Sequence, residues 1–204
     1  MPLFLMDNSH IDFQFAVWKI TENLSFFLDK LDFDNFDNSK ISSFYPSRFK
    51  EWVVPRFLLY SLLKENDFYC ETDDFGKPFL KDSDINISFS HDKKWATSII
   101  SKKEIGIDIQ RTSEKLFSIK DRIFSQSDLN TCTNQDDINC LLKLWTIKEA
   151  VYKAYGKKEL DYKNDIIIRG KDIVSVINKD KLTYNYNYIS YFYDDFCISV
   201  VFNQ

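Results

Sequence analysis

The chain has 204 residues, 44% of them hydrophobic, and a nearly balanced charge of −4 at neutral pH. The length is ample for one sizeable core and marginal for two independent domains. The charge balance argues against nucleic acid as a partner, and no apolar run is long enough to span a membrane. The start of the chain lacks the basic segment of a secretory signal, so we expect a cytoplasmic protein with no membrane association.

The cysteines predict neither a zinc site nor a disulfide framework. Cys70, Cys132, Cys140 and Cys197 form no C-x-x-C pair, and the chain has only two histidines. Metal sites for zinc need four such ligands at short spacings. We therefore expect four reduced thiols.

The first half of the sequence predicts strands around one long helix. Residues 2–20 alternate loosely, as strands do, and apolar residues recur at helical spacing from Ser47 to Lys64. Pro55 lies inside this stretch and should kink the helix or mark the start of a new one. After a turn at Gly76-Lys77-Pro78, strands are predicted at Ile85–Ser90 and Trp95–Ile100.

The second half predicts a strand, a group of helices and a run of strands. The first strand is Ile105–Gln110, and the main helix runs from about Asp137 to Tyr155 and ends at Gly156. Shorter helical pieces are predicted at Ser118–Phe124 and Ser127–Leu129, and further strands at Ile166–Arg169, Ile173–Asn178, Tyr184–Tyr193 and Phe196–Phe202.

Two stretches carry the chemistry. In Ile105–Gln110 the isoleucines take one face, so Asp108 and Gln110 point the same way beside Gly106, which would let another group approach the backbone. The helix presents Trp145, Glu149 and Lys153 along one row at i, i+4 spacing. Carboxylates with an amide and an ammonium are the groups that a magnesium-assisted phosphoryl transfer needs.

These residues carry a family resemblance. The stretches G-I-D-I-Q at 106–110 and W-T-I-K-E-A-V-Y-K at 145–153 resemble the signature pair of the 4′-phosphopantetheinyl transferases. Three more stretches follow the order of that family, and together the similarity runs from about residue 44 to the C-terminus. They are the basic helix with Arg48, Lys50, Glu51, Trp52 and Arg56, the turn Phe75–Phe79, and Ser90-His91 with Trp95.

The resemblance implies a fold and a division of the chain. The length is similar to the surfactin-type branch, in which one α+β chain holds two similar α/β halves related by a pseudo-two-fold axis. We expect the halves at 1–103 and 104–204. Residues 87–100 and 189–201 share a faint internal similarity that would fit two such halves, although hairpins share such patterns by chance.

The resemblance also implies a reaction, which is transfer of phosphopantetheine from coenzyme A to a serine of an apo acyl or peptidyl carrier protein. Mg²⁺ would be held by Asp108, Gln110 and Glu149, while Glu149 and Lys153 would be catalytic. Gln110 stands where the family usually has glutamate, so weaker metal binding is expected. Without the motifs, Asp108 would be a solvated strand residue and Glu149 with Lys153 an ordinary surface pair.

Coenzyme A would be bound mainly by the first half. The contacts assigned to it have alternatives. Lys77 could equally be an ordinary lysine in a turn, and His91 a histidine in a turn. The basic helix could simply expose its charged face to solvent. The expected contacts are Arg48, Lys50, Arg56, Lys77, Ser90, His91 and, less clearly, Lys148.

Two further expectations concern partners. An acidic carrier would dock on a basic and aromatic segment, and we expect a monomer. A degenerate relative that binds coenzyme A or a carrier without turnover is the alternative, and Gln110 is the feature in its favour. The expected docking residues are Phe117, Ile119, Phe124, Lys143, Lys157 and Lys158.

Overall fold

A computed structural model describes residues 3–36, 45–64, 67–170 and 172–204. The chain divides into two compact units, Met1–Ile105 and Gly106–Gln204. Residues 2 and 44, where the predicted first strand and the family resemblance begin, lie outside the described residues.

The first unit is a four-stranded sheet covered by helices. The sheet has the order β1-β2-β6-β5, its neighbouring strands run antiparallel, and β3 and β4 form a separate two-stranded ribbon. A single 3₁₀ turn spans Phe33–Asn35. The elements are β1 (Leu3–Asp7), β2 (Phe13–Lys19), α1 (Leu24–Leu28), α2 (Pro46–Leu63), β3 (Cys70–Thr72), β4 (Pro78–Leu80), β5 (Asn86–Asp92) and β6 (Trp95–Ser101).

Helix α2 is held against the sheet by a fully buried apolar face. Val53, Val54, Leu58 and Leu59 have no exposed surface, which explains why apolar residues recur at this spacing. The helix continues through Pro55, so no new helix begins there. The carbonyl of Pro55 accepts a hydrogen bond from the Ser98 hydroxyl of β6, which ties the middle of the helix to the sheet.

The second unit is a five-stranded sheet with one long helix packed across it. The strand order is β7-β11-β10-β9-β8, and α5 packs mainly on β11. Asp137 caps α5 by accepting from the backbone N–H of Asn139, and Gly156 ends it with a φ of 73°. The elements are β7 (Ile105–Arg111), α3 (Lys115–Ile123), α4 (Gln126–Leu129), α5 (Ile138–Tyr155), β8 (Ile166–Arg169), β9 (Ile173–Ile177), β10 (Thr183–Phe192) and β11 (Phe196–Asn203).

The predicted α+β class is confirmed by these antiparallel sheets and their covering helices. Each unit contains a long helix followed later by an antiparallel hairpin, β5-β6 in one and β10-β11 in the other. The pseudo-two-fold relation between the halves stays a prediction. Among the described residues, no helix is both long and apolar enough to cross a membrane.

The expectation of four reduced thiols is wrong for one pair. Cys132 and Cys140 form a disulfide between the end of α4 and the first turn of α5, with their Cα atoms 5.9 Å apart. The intervening segment folds back on itself and brings two cysteines eight residues apart within disulfide range. Cys70 and Cys197 are free and buried.

Candidate functional site

The second unit brings strand β7 and helix α5 unusually close together at Gly106. A Cβ atom on this residue would lie 2.0 Å from the carbonyl oxygen of Ala150 and 2.7 Å from the backbone nitrogen of Ala154. The group that approaches the glycine is therefore the helix itself. This contact sets the distance between the polar side chains of the strand and those of the helix.

Asp108 and Lys153 face each other across this contact. The ammonium of Lys153 lies 2.7 Å from Oδ1 of Asp108 and 3.2 Å from the carbonyl oxygen of Ile107. The Asp108 side chain is 7% exposed and that of Lys153 is 28% exposed. The pair is thus anchored in the fold, and the Lys153 side chain remains partly exposed to solvent.

Glu149 lies one helical turn before Lys153 and completes a group of three charged side chains. Burial and, second, the negative charge of Asp108 raise its pKa to about 7, while Lys153 and a hydrogen bond from Tyr162 act in the opposite direction. A carboxyl group with this pKa exchanges its proton near neutral pH. It is therefore suited to the role of general base.

The predicted row on α5 lies along one face, and a single aromatic side chain covers part of it. The ring of Tyr162 stacks on Trp145 with centroids 5.6 Å apart, and its hydroxyl donates to Oε1 of Glu149 at 3.1 Å. Burial, followed by the charge of Glu149, raises the pKa of Tyr162 above its usual value. Tyr162 was missed in the sequence because it lies in the loop after α5, where no periodicity distinguishes it.

Lys148 lies next to Glu149 in sequence but points into the interior. Its side chain has no exposed surface, and its ammonium contacts Oδ2 of Asp128 at 2.8 Å and the carbonyl oxygens of Tyr162 and Ile166 at 2.6 and 2.5 Å. An ammonium has three N–H donors, and all three are used here. This placement weighs against the predicted contact between Lys148 and coenzyme A.

Asp128 is the second residue that sequence reasoning missed. Its carboxylate accepts from Lys148, from the backbone N–H of Ser125 in a capping box and from the backbone N–H of Ile168 on β8. One buried carboxylate thereby joins α4, α5 and β8. The Ser-x-x-Asp spacing at 125–128 is the signal that could have identified it as a capping residue.

The donor set fits a magnesium ion. Asp108 and Glu149 come from different elements, yet the charge of one raises the pKa of the other, so the two carboxylates share one site. Gln110 projects from the same face of β7 by strand alternation and adds an amide oxygen. Among the described residues no group of three or more His, Cys, Asp or Glu side chains could hold a metal, so the site would rest on two carboxylates and an amide.

The basic residues of α2 differ in exposure. Arg48 is exposed, whereas Lys50 donates to the carbonyl oxygen of Glu22. Arg56 is 8% exposed, lies flat over the Trp52 ring at 3.8 Å and donates to the Trp52 carbonyl. The helix is therefore not a uniformly solvated basic face.

The remaining predicted contacts of coenzyme A lie in or near β4 and β5. Lys77, just before β4, forms an ion pair with Glu104 at 3.8 Å, and burial lowers its pKa. On β5, Ser90 is buried opposite Thr97, whereas the next residue, His91, is exposed. The strand alternation thus puts Ser90 and His91 on opposite faces.

The predicted docking segment is only partly available to a partner. Phe117 is 44% exposed, but Phe124 is 1% exposed and Ile119 packs against the core of the second unit. The prediction that Phe124 contacts a carrier is therefore wrong, because helix α3 ends by burying this ring. Lys157 and Lys158 are exposed, and Lys143 lies 5.6 Å from the Tyr188 ring.

Comparisons with known proteins agree with the motif pair. Residues 104–201, a little under half of the chain, match the model of the 4′-phosphopantetheinyl transferase superfamily. The chain is 32% identical over 117 residues to the 4′-phosphopantetheinyl transferase gsp of Aneurinibacillus migulanus, which covers 55% of this chain and 49% of that protein. It is 31% identical over 99 residues to the 4′-phosphopantetheinyl transferase Sfp of Bacillus subtilis (strain 168), which covers 47% of this chain and 44% of that protein.

The matched regions span about half the length of these curated relatives. They support the predicted surfactin-type branch, to which the resemblance had assigned the sequence. The part of the chain that contains β7 and α5, residues 104–201, is thus the part that matches the 4′-phosphopantetheinyl transferase superfamily.

Proposed function

We propose that this chain transfers the 4′-phosphopantetheine arm of coenzyme A to a serine of an apo acyl or peptidyl carrier protein, with Mg²⁺, and releases 3′,5′-ADP. The observation that carries the proposal is the group formed by Asp108, Glu149 and Lys153, in which a paired carboxylate, a carboxyl group with a pKa of about 7 and a partly exposed ammonium meet. The match of residues 104–201 to the 4′-phosphopantetheinyl transferase superfamily supports the same reaction.

The reaction requires one bond to form and one to break at phosphorus. The carrier serine oxygen bonds to the pantetheine-side phosphorus of the pyrophosphate, and the bond from that phosphorus to the bridging oxygen breaks. The electron pair leaves with 3′,5′-ADP, and the serine proton goes to a base. The protein must therefore place a base beside the serine and cations beside the phosphates.

The three side chains divide these tasks. Glu149 takes the serine proton, because its pKa of about 7 allows it to be ionised and still basic at neutral pH. Lys153 holds a phosphate oxygen of coenzyme A, because Asp108 and Ile107 bind two of its three donors and its side chain is 28% exposed. Its position is fixed by the fold before substrate binds.

Asp108 and Glu149 are the residues that would hold Mg²⁺, with Gln110 as a third donor through its amide oxygen. Bound there, the ion would neutralise the charge that develops on the phosphate oxygens. Gln110 contributes no charge, so we expect weaker metal binding than a glutamate would give. Asp108 serves as the rigid part of the site, since its carboxylate is buried on a strand.

Coenzyme A would be held largely by residues of the first unit, and their separate contacts are part of this proposal. Arg48 is exposed on α2 and suits a phosphate, because a guanidinium can bind it with two hydrogen bonds. His91 is also exposed and can donate to a second phosphate. Lys148 is omitted, because the protein already uses all of its donors. The other proposed contacts are Lys50, Arg56, Lys77 and Ser90.

The direct test is the mass of a carrier protein after incubation with this chain, coenzyme A and magnesium. We expect the mass to rise by one phosphopantetheine arm, and the rise to disappear when EDTA is present. Several apo carriers of the acyl and peptidyl types should be tried, since the carrier is unidentified. Binding of coenzyme A with no mass change on any carrier would contradict the proposal and favour a binder without turnover.

A further inference from the structure

Tyr162 lies at the centre of contacts that the proposed reaction does not use. Its ring stacks on Tyr152 with centroids 5.2 Å apart and on Trp145 at 5.6 Å, and both contacts are nearly parallel. These two residues are seven positions apart on α5, so the ring lies along the face that also carries Glu149. The stack fixes where the hydroxyl of Tyr162 can point.

The backbone of Tyr162 is fixed as well. Its carbonyl oxygen accepts from Lys148 at 2.6 Å, and that ammonium is itself held by Asp128. On both sides of Tyr162 the loop is closed by side chains. Asp161 accepts from the backbone N–H groups of Lys163 and Asn164, and Asp165 accepts from that of Asp161. Hydrogen bonds on both sides thus hold this loop residue in place.

Within the described part of the chain, the polar contact of this side chain is with Glu149. The hydroxyl donates to Oε1 at 3.1 Å. A glutamate side chain has several rotatable bonds, so holding it in one conformation costs conformational entropy. This cost falls on folding rather than on the reaction when the folded protein already restricts the side chain. Because the Tyr162 hydroxyl is fixed, its hydrogen bond to Oε1 favours one conformation of the Glu149 side chain over the others.

We propose that Tyr162 is a positioning residue for the transfer, which donates to Glu149 Oε1 and holds that carboxylate toward Asp108 and Lys153. The inference rests on the function proposed above. Lys148 takes part indirectly, because it anchors the carbonyl of Tyr162 from the interior. Tyr162 touches neither the serine nor the phosphate in this role.

The test compares Tyr162→Phe with Tyr152→Phe. Each variant loses one hydroxyl from the same aromatic stack and keeps its ring, but only Tyr162 donates to Glu149. For Tyr162→Phe we expect kcat of carrier modification to fall about ten- to hundredfold, as for a lost hydrogen bond to a charged group. KM for coenzyme A should stay within about twofold, because the contact acts on the reacting step.

Tyr152→Phe should keep the kcat and the KM for coenzyme A of the wild type, and the thermal unfolding midpoints of the two variants should agree. Wild-type kcat in Tyr162→Phe, with transfer by the wild type intact, overturns the positioning role alone. An equal loss in both variants overturns it too, because the effect would then come from the stack. Absence of transfer by the wild type on every carrier overturns the proposed function and this inference together.

Discussion

Two lysines of helix α5 form ion pairs with aspartates of other elements, at nearly the same contact distance and in opposite surroundings. Lys148 and Asp128 meet at 2.8 Å with neither side chain exposed, whereas Lys153 and Asp108 meet at 2.7 Å with 28% and 7% exposed. The buried ammonium has three protein acceptors, and the exposed one has two. Both lysines are paired with an aspartate, so pairing does not distinguish them. Burial and the number of N–H donors left over separate a structural lysine from one that can bind substrate.

Replacement of Lys148 should produce the largest loss of stability. Lys148→Met leaves the Asp128 carboxylate buried without its cation, and removing one partner of a buried pair costs about 3–5 kcal/mol. Urea unfolding followed by circular dichroism measures this. In the matched variant Lys153→Met, the lysine side chain that is lost is 28% exposed, so water can take the place of the ammonium beside the buried Asp108, and we expect a smaller loss of about 1–2 kcal/mol. Equal losses in the two variants would remove the distinction between the pairs.

The same substitution of Lys153 should have the larger effect on activity. Without its ammonium the transferring phosphate loses a fixed cation, and kcat of carrier modification should fall about a hundred- to thousandfold. Initial rates of carrier modification measure the change. A Lys153→Met enzyme with more than about a tenth of wild-type kcat would mean that the exposed pair is structural as well.

Gly106→Ala tests whether the approach of β7 to α5 supports the exposed pair. The added Cβ would lie 2.0 Å from the Ala150 carbonyl, so strand and helix must separate, at a cost of about 1–3 kcal/mol. Gly170→Ala adds a Cβ that meets nothing within 4 Å, although its φ of 69° adds some strain. We expect Gly106→Ala to lose transfer activity and Gly170→Ala to keep it. A fully active Gly106→Ala protein would show that the spacing is not critical.

The last expected effect concerns stability alone and is a dependence of stability on pH in EDTA. Burial and Asp108 raise the pKa of Glu149 from 4.5 to about 7 in the folded protein, so the folded state binds a proton more tightly than the unfolded state. Its contribution to the free energy of unfolding is therefore present below pH 4.5 and is lost as the pH rises to 7. Urea unfolding at pH 5 and pH 7.5 should show a smaller pH-dependent loss in Glu149→Gln than in the wild type. Identical losses in the variant and the wild type would mean that the fold does not raise the pKa of Glu149.

The elements that carry the site could be predicted because each has its own periodicity. Strand β7 alternates with period two, and α5 has an apolar face, a capping aspartate at Asp137 and Gly156 at its end. Strands β3 and β4 were not predicted, because three residues are too few to establish alternation. Helix α3 begins at Lys115 rather than Ser118, and helix ends are the least certain part of any such prediction.

The partners of the site residues could not be predicted in the same way. Tyr162 contacts Glu149 from a loop, and Asp128 meets Lys148 from a one-turn helix twenty residues earlier. Such contacts depend on how the chain folds back, which local patterns do not encode. For this reason the sequence assigned Lys148 to coenzyme A, although its ammonium lies inside the protein.

The measurement that tests the account most directly is the intact mass of an apo carrier incubated with coenzyme A, Mg²⁺ and either the wild type or Asp108→Asn. The account predicts that the wild type adds one phosphopantetheine arm and that Asp108→Asn, which keeps the shape of the side chain without its charge, leaves the carrier at its apo mass. Modification at the wild-type rate by Asp108→Asn would contradict the account.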